Sequence, residues 1–320
     1  MKTKYMQGTV HSQKEGGKRV KKILVIGSLN MDCMIETHHM PKPGETVLGN
    51  SVTLIPGGKG ANQAYAAGKL GGRIGMIGAV GDDAYGRRLK GNLEDAGVNT
   101  ECVEIICGGT TGQAFITVDE DGENAIIVIQ GTNRDVTRDR VQKFAEKIRD
   151  SDIIVMQMEI PASTVEYVKD MAVEMGKTVI IDPAPAQREL PDSFWKGVDY
   201  IKPNESELEI LTGRKIRTKQ DIRDGARMML DKGVKGVIVT LGEDGCMLVT
   251  ENGEKSFETT KVKAVDTTAA GDSFTAAFAV ALSEGKDCEE AIRFGQKASA
   301  VAVTRKGAQT SMPSRSEITN

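Results

Sequence analysis

The sequence has few aromatic residues, few histidines and no closely spaced cysteines, and each shortage excludes a class of function. Aromatic residues make up 4% of the 320 residues, which leaves little material for stacking single-stranded bases. The five cysteines include no CxxC pair, so the sequence indicates neither a zinc ribbon nor a redox dithiol. The three histidines have no metal-site spacing, and we interpret the pair His38 and His39 as solvated loop residues.

The sequence also lacks a strong charge of one sign and a long apolar run. Its formal net charge is −3, which disfavours a dominant nucleic-acid surface but is compatible with a local pocket for anionic metabolites. No apolar stretch is long enough to cross a membrane, and residues 1–21 are polar and basic without the apolar centre of a signal peptide. We therefore expect a reduced, cytoplasmic protein with a flexible basic tail over residues 1–21 and no nucleic-acid or membrane partner.

Short apolar runs alternate with helical patterns over residues 22–320, which predicts one α/β domain with βαβ units and a mostly parallel sheet. The first strand, at residues 22–27, is not followed by G-x-G-x-x-G, so a nicotinamide cofactor is disfavoured. Ligands of such sheets bind beyond the carboxyl ends of the strands. Helices are predicted at 60–70, 84–96, 137–149, 162–175, 205–212, 219–232, 271–283 and 287–303.

Two segments, at about residues 31–56 and 112–130, interrupt this alternation. In the second, two apolar runs flank Asp121 and Gly122, which is the pattern of a hairpin. The two segments together predict a small antiparallel sheet that projects as a lid and excludes water from a reaction. Because so small a sheet has little core of its own, we expect one face to pair with a second copy of the chain in a homodimer.

Residues 265–274 read VDTTAAGDSF, so small residues and two carboxylates lie where a loop opens a helix. Small residues let the backbone approach a ligand closely, and the free N–H groups of a first helical turn bind an anion. Asp272 would lie beside that anion and could take a proton from a substrate hydroxyl. Backbone donors beside a carboxylate base are the components that phosphoryl transfer needs. The alternative is an N-capping loop in which the small residues serve only close packing.

Residues 56–64 read PGGKGANQA. This is not a Walker P-loop, because Lys59 is followed by glycine and the required spacing is absent. Glycines such as Gly58 allow unusual backbone angles and close ligand approach. Asn62 can both donate and accept hydrogen bonds, which suits a sugar hydroxyl. The alternative is a glycine-rich turn into a helix with a solvated lysine.

Polar residues follow two predicted strands. Asn30 and Asp32 are two residues apart, so they face the same side of a strand and could bracket vicinal hydroxyls; the alternative is a cap at a strand end. Glu159 follows a second apolar run, which places it near the ligand edge of the sheet. Its alternative is an ordinary acid at a helix start, before Pro161.

Three weaker motifs come later in the chain. Glu207 follows Asn204 by three residues at a helix start, a spacing that ordinary capping also produces. A strand ending at Thr240 runs into a glycine turn that could lie against a nucleotide, or could be a plain strand-to-turn junction. The last is a basic loop over residues 302–311, which on its own could be neutral in function.

Taken in order, these motifs resemble the ribokinase (PfkB-type) carbohydrate kinase family, in its ribokinase branch, over about residues 22–315. The resemblance implies a three-layer α/β sandwich with a mostly parallel central sheet and a small antiparallel β lid. It also implies transfer of the γ-phosphoryl group of ATP to the 5-hydroxyl of D-ribose, with Mg²⁺ on the phosphates and K⁺ as an activating cation.

The resemblance implies a role for each matching residue. Asp272 is the general base, and the N–H groups that meet the developing charge belong to Ala269, Ala270 and Gly271. The residues that hold the sugar are Asn30, Asp32, Gly58, Lys59, Asn62, Glu159 and Asp272. The nucleotide side comprises Asn204, Thr240, Gly242, Gly245 and Gly271. The monovalent cation is held, mainly through backbone carbonyls, by Asp266, Thr268, Ala302, Arg305, Gly307 and Ser311. Mg²⁺ is organised indirectly, through water, by Glu207.

Two alternatives remain open. One is a kinase of the same family that acts on deoxyribose, a ketohexose or a nucleoside. The other is a non-catalytic sugar-binding regulatory protein, which the intact Asp272 and Gly271 disfavour. Gln296 replaces an asparagine that many relatives carry near the adenine, so it is left out of the site. Asp182 is assigned no role.

Overall fold

The computed structural model describes residues 19–319, so residues 1–18 of the predicted basic tail and Asn320 lie outside the described residues. The strands are β1 (Ile23–Ile26), β2 (Asn30–Thr37), β3 (Gly49–Gly57), β4 (Ile74–Gly81), β5 (Asn99–Ile106), β6 (Gly112–Val118), β7 (Asn124–Ile129), β8 (Ile153–Gln157), β9 (Thr178–Asp182), β10 (Tyr200–Ile201), β11 (Gly236–Thr240), β12 (Cys246–Thr250) and β13 (Gly253–Phe257). The helices are α1 (Lys59–Lys69), α2 (Ala84–Asp95), α3 (Arg138–Gln142), α4 (Ala145–Asp150), α5 (Ala162–Glu174), α6 (Asp192–Trp195), α7 (Glu205–Thr212), α8 (Lys219–Asp231), α9 (Ala270–Ser283), α10 (Cys288–Ala302) and α11 (Arg315–Thr319).

A nine-stranded sheet forms the centre of the molecule, in the order β13-β12-β11-β10-β9-β8-β1-β4-β5. The strand pairs from β5 to β11 are parallel, and the pairs β11–β12 and β12–β13 are antiparallel. Strands β1 and β8 are short apolar runs in which every residue is buried, as parallel strands covered on both faces require. The predicted mostly parallel sheet is therefore confirmed.

Helices cover both faces of this sheet. Successive side chains of a strand point to opposite faces, and accordingly Ile23 and Val25 pack in one hydrophobic core with α1, α9 and α10. Leu24 and Ile26 pack in a second core with α5, α7 and α8. This arrangement is the predicted three-layer α/β sandwich. None of the helices within residues 19–319 is long and apolar enough to cross a bilayer.

A separate four-stranded sheet, in the order β3-β2-β6-β7, forms where the lid was predicted. It is mixed rather than antiparallel, because β2 and β6 run parallel to each other. The reason is that β2 leaves the central sheet after β1 and β6 leaves it after β5, and β1 and β5 point in the same direction. The lid therefore rises from the carboxyl-terminal edge of the central sheet, where the candidate site lies.

Most helices begin and end within two residues of their predicted bounds. The helix predicted at 137–149 is instead two short helices, α3 and α4. They are separated at Phe144, whose ring packs against the second hydrophobic core and whose backbone leaves the helical region. Strands β5, β12 and β13 were not predicted. In β13 four of the five residues are exposed and polar or glycine, so the apolar signal of a buried strand is missing.

Candidate active site

The glycine-rich loop packs against the chain that joins the two sheets. Gly58 has φ 86°, and a Cβ at this position would lie 2.6 Å from the backbone nitrogen of Asn30. A Cβ at Gly60 would lie 2.5 Å from the backbone nitrogen of Ser28. These glycines are therefore required first by close backbone packing, and that packing holds the start of α1 against the end of β1.

Asp272 lies in the first turn of α9 and is buried. Its Oδ2 atom accepts a hydrogen bond from Asn62 Nδ2, and its Oδ1 atom accepts one from Gln63 Nε2, both at 2.9 Å. Burial raises the pKa of Asp272, the charge of Lys59 opposes the rise and the charge of Asp182 adds to it. A carboxylate with a raised pKa is suited to accept a proton from a hydroxyl near neutral pH.

Behind Asp272 lies a buried polar network that the sequence did not predict. Gln63 Nε2 also donates to Asp182 Oδ2 at 2.9 Å, so one amide group bridges two carboxylates. Gln157 Nε2 donates to Gln63 Oε1 at 2.6 Å, which fixes the orientation of the bridging amide. Lys202 Nζ lies 3.6 Å from Asp182 Oδ1. Gln63 is part of the glycine-rich motif, but its bridging role depends on residues more than a hundred positions away.

Lys59 and Glu159 form another part of the site. Glu159 Oε2 accepts hydrogen bonds from the backbone N–H of Lys59 at 2.9 Å and from Ser28 Oγ at 2.5 Å. Burial lowers the pKa of Lys59, but the surrounding carboxylates, Asp272 first among them, raise this pKa above its ordinary value. The Lys59 side chain is therefore a permanent cation among acidic groups.

Asp32, one of the carboxylates predicted to hold a sugar, has a strongly raised pKa. Burial, followed by the charges of Glu159 and Asp272, raises the pKa of Asp32 to about 7. The same interactions show that Asp32, Glu159 and Asp272 lie close enough to repel one another, so the residues predicted to hold a sugar are gathered in one place. Hydroxyl donors would relieve this crowding of acceptors.

Asn30 is oriented by Asn133, a residue that the sequence analysis missed. Asn133 Oδ1 accepts from the backbone N–H of Leu29 at 2.9 Å, and Asn133 Nδ2 donates to the carbonyl of Leu29 at 3.1 Å and to Asn30 Oδ1 at 2.7 Å. Because the two bonds to Leu29 fix the orientation of Asn133, the Asn30 oxygen must face it. Asn30 therefore keeps its Nδ2 donors for a ligand, whereas Asp32 supplies acceptors.

The start of α9 carries free backbone donors. Ala269 is the N-cap and has φ 58°, the only non-glycine residue within 19–319 with positive φ. The N–H of Ala270 donates to the carbonyl of Thr267 at 3.2 Å. The N–H groups of Ala269, Gly271 and Asp272 have no acceptor in the described part of the chain. Three donors are therefore available to an anion. They differ from the predicted three in that the N–H of Asp272 takes the place of that of Ala270.

A cavity of about 410 Å³ adjoins this helix start. It is lined by all five residues predicted for the nucleotide side, which are Asn204, Thr240, Gly242, Gly245 and Gly271. Gln296, which the sequence analysis left out, also lines it. Its Nε2 atom donates to the carbonyl of Phe257 at 2.9 Å, so its amide orientation is fixed.

Asn204 and Glu207 form the capping box that was the alternative interpretation of their spacing. Asn204 Oδ1 accepts from the N–H of Glu207 at 2.8 Å, and Glu207 Oε2 accepts from the N–H of Asn204 at 2.9 Å. The second carboxylate oxygen of Glu207 has no hydrogen-bond donor within residues 19–319. The charge of Glu207 contributes to the raised pKa of Lys59, so Glu207 is close enough to act on cations in the site.

The loops predicted to hold a monovalent cation lie side by side. Asp266 Oδ1 accepts from the N–H of Thr268 at 2.9 Å, and Asp266 Oδ2 accepts from the N–H of Gly307 at 2.8 Å. Although partial burial opposes it, these hydrogen bonds lower the pKa of Asp266. Ala302 and Ser311 lie at the two ends of the loop over residues 302–311. The side chain of Arg305, in the same loop, pairs with Glu317. Within residues 19–319 no cluster of three or more His, Cys, Asp or Glu could hold a metal, so carbonyl oxygens would have to dominate a cation site here.

Comparisons with known proteins agree with this geometry. The model of the pfkB family of carbohydrate kinases matches residues 20–315. The chain is 40% identical to the ribokinase of Haemophilus influenzae over 93% of this chain and 97% of that protein. It is 39% identical to the deoxyribokinase of Salmonella typhi over 91% of this chain and 95% of that protein. A solved structure of Arabidopsis thaliana ribokinase complexed with ribose and ATP is 35% identical, with a TM-score of 0.89 over 93% of this chain and 97% of that one. The chain therefore belongs to the pfkB family of carbohydrate kinases and is a sugar kinase.

Proposed function

We propose that the chain transfers the γ-phosphoryl group of ATP to the 5-hydroxyl of D-ribose, giving ribose 5-phosphate and ADP. The observation that carries this proposal is the position of Asp272. It is bonded to Asn62 on the sugar side, and it directly follows Gly271, which lines the nucleotide cavity. A base that lies between a sugar site and a nucleotide site is what a sugar kinase needs.

In the proposed reaction Asp272 takes the proton of the 5-hydroxyl as that oxygen attacks the γ-phosphorus. The new O–P bond forms while the bond to the oxygen that bridges to the β-phosphate breaks, and ADP leaves. Backbone donors of Ala269 and Gly271 at the start of α9 meet the negative charge that develops on the transferring group. Asn30, Asp32, Lys59 and Glu159 orient the sugar so that its hydroxyl points toward Asp272.

Cations complete the proposal. Kinases that use ATP require Mg²⁺, which neutralises phosphate charge when bound, and Glu207 is the carboxylate that would order it through water. We propose K⁺ beside the loops that Asp266 joins, where their carbonyl oxygens would hold it and stiffen the start of α9. Among the residues described, the fit rests on Asp266, which fixes both loops by hydrogen bonds at 2.9 and 2.8 Å.

The alternative substrate is deoxyribose, because the chain is about as similar to a deoxyribokinase as to a ribokinase. A release assay for ADP with ATP and Mg²⁺ separates the candidates when ribose, deoxyribose, fructose and adenosine are each tested with and without K⁺. We expect turnover on ribose that rises with K⁺. Faster turnover on another sugar would keep the mechanism and overturn the substrate, and folded protein without any turnover would favour the regulatory sugar-binding protein.

The role of Asp272 is tested by Asp272→Asn. The substitution keeps an acceptor oxygen but removes the base, so kcat should fall by ~10²–10⁴-fold. Equilibrium binding of ribose and of ADP, measured by calorimetry, should change far less. The assignment is wrong if the variant retains more than about a tenth of the wild-type kcat.

We also propose a cytoplasmic homodimer that forms through the lid. Strand β7 is an edge strand of the lid, and four consecutive apolar residues of it, Ile126 to Ile129, are about half exposed or more. An apolar edge strand that nothing in its own chain covers is a surface for pairing with another chain.

A further inference from the structure

Lys202 is a buried lysine that lies against the start of α9. It directly follows β10, and only 6% of its surface is exposed. A Cβ added to Gly271 would lie 3.2 Å from Lys202 Nζ, so the ammonium group is within contact distance of the first turn of α9. Asn204 lies two residues after Lys202 in the chain. Both Asn204 and Gly271 line the nucleotide cavity.

Only one partner is present for this ammonium group within residues 19–319. Lys202 Nζ lies 3.6 Å from Asp182 Oδ1, which is longer than an N–H···O hydrogen bond. Asp182 Oδ1 is itself buried and has no hydrogen-bond partner among the residues described. Two opposite charges have therefore been removed from water without a hydrogen bond between them, an arrangement that is costly unless a further group satisfies them.

The position of Lys202 is also unfavourable relative to the helix. The N-terminus of a helix carries partial positive charge, and cations are stabilised at the opposite end. A lysine held against the start of a helix of 14 residues is therefore repelled by it. The repulsion becomes attraction when an anion lies between the two, because the ammonium group and the free N–H groups then bind the same oxygens.

We propose that Lys202 binds the phosphates of ATP at the bond that breaks, and that it stabilises the negative charge developing between the β- and γ-phosphates during transfer. Asp182 acts as a positioning residue that holds the lysine side chain through their ion pair. This inference rests on the proposed phosphoryl transfer and adds a catalytic residue to it. The proton of the sugar hydroxyl goes to Asp272.

Lys202 and Lys59 have separate roles in this account. Lys59 begins α1, and its backbone bonds to Glu159 on the sugar side. Lys202 lies two residues before Asn204, and its Nζ atom would lie 3.2 Å from a Cβ on Gly271; Asn204 and Gly271 both line the nucleotide cavity. Loss of Lys202 should therefore weaken the binding of β- and γ-phosphates without weakening the binding of ribose or of a nucleotide that has only an α-phosphate.

The test uses Lys202→Met, which keeps most of the side-chain length without the charge. It also uses the double variant Lys202→Met with Asp182→Asn, which removes both charges of the pair. Calorimetry gives the affinities for ribose, AMP, ADP and a non-hydrolysable ATP analogue. We expect kcat to fall by ~10²–10³-fold, as when a donor to a transition-state anion is removed. Affinity for the ATP analogue should fall about tenfold, while affinities for AMP and ribose stay within roughly twofold.

Lys169→Met is the matched control, because Lys169 is a lysine on α5 that is 2% exposed and pairs with Asp170 and the carbonyl of Ser193. It should lower the Tm without changing the ratio of ATP-analogue to AMP affinity. The proposal is overturned if the folded double variant keeps a kcat within threefold of Asp182→Asn alone, or if it loses AMP and ATP-analogue affinity equally. The binding measurements apply even if the wild type turns over no sugar, so failure of the proposed reaction and failure of the Lys202 assignment are distinguishable.

Discussion

At the scale of single residues, Asp32 has opposite effects on binding and on stability. Its pKa is raised to about 7 by burial and by the charges of Glu159 and Asp272. The folded protein therefore holds this proton more tightly than the unfolded chain, where the pKa returns to 3.8. Ionisation of Asp32 consequently costs stability progressively as pH rises from about 4 to about 7, although the ionised form is the better acceptor for a sugar hydroxyl.

Asp32→Asn should therefore stabilise the protein and weaken the enzyme. The Tm should rise, and the gain should be larger at pH 8 than at pH 5, because the substitution removes the cost of ionisation. The KM for ribose should increase roughly 10- to 100-fold, since a hydrogen bond to a charged group is lost. In the wild type, kcat/KM for ribose should fall as pH drops below about 7. A lower Tm at pH 8 for the variant would contradict this account.

Asn30 and Asn133 show which part of the site the sequence can reveal. Asn30 and Asp32 were predicted from their spacing on a strand to bracket vicinal hydroxyls, and the spacing does not say which of the two donates. The structure orients Asn30 as a donor through Asn133, which lies 103 positions away. No local pattern marks such a residue, because its partners come from a different part of the chain. The sequence analysis assigned no role to Gln63, Asp182 or Lys202 for the same reason.

At the scale of elements, the start of α9 is strained at the place where we propose that it binds an anion. Ala269 has φ 58° and ψ 13°, a left-handed conformation that costs an alanine roughly 1–2 kcal/mol. The N–H groups of Ala269, Gly271 and Asp272, at this cap and in the turn that follows it, have no acceptor in the described part of the chain. The helix itself was predicted to within one residue, but its strained cap was not, because alanine carries no signal for positive φ.

Substitutions at Ala269 test this strain. Ala269→Gly should retain activity and leave the Tm unchanged or slightly higher, since relief of the strain offsets the greater flexibility of the unfolded chain. Ala269→Val should lower both the Tm and kcat, because a β-branched residue tolerates positive φ poorly. Thermal unfolding and ADP release measure the two effects. Equal stability of the glycine and valine variants would mean that this backbone conformation is unimportant.

The central sheet and the lid differ in how far their sequences predicted them. Strands such as β1 and β8 are apolar runs, and the helices between the parallel strands have helical patterns, so the type and order of most elements of the central layers followed from pattern. Strands β5, β12 and β13 did not. The parallel pairing of β2 with β6 depends on where two distant segments leave the central sheet. Hairpin patterns report only neighbours along the chain, which is why the lid was expected to be wholly antiparallel.

At the scale of the whole molecule, the exposed lid strand predicts a dimer. The wild type should sediment with about twice the 34.4 kDa mass of one chain. Ile127 is 65% exposed on β7, so Ile127→Glu should convert the dimer to a monomer by placing a charge in the apolar contact. Ile210→Glu is the control, because Ile210 is 44% exposed on α7, outside the lid. A wild type that is monomeric at micromolar concentration would contradict the proposed assembly.

The same scale explains why the order of motifs was more informative than any single motif. Asn62, Glu159, Asn204, Thr240 and Asp272 come from five separate parts of the chain, and each has an ordinary structural explanation. The parallel sheet brings their positions to one edge, because the carboxyl ends of its strands meet there. Geometry then adds what spacing cannot, such as the shared amide of Gln63 between two carboxylates.

The most direct test of the central claim is the identity of the reaction product. The purified protein is incubated with ATP, Mg²⁺, K⁺ and ribose labelled with ¹³C, and ¹³C and ³¹P spectra are recorded over time. We predict ADP and one sugar phosphate whose C5 signal is split by coupling to ³¹P, and almost none of it with Asp272→Asn. A phosphate on a different carbon, or no consumption of ribose by folded protein, would contradict the account.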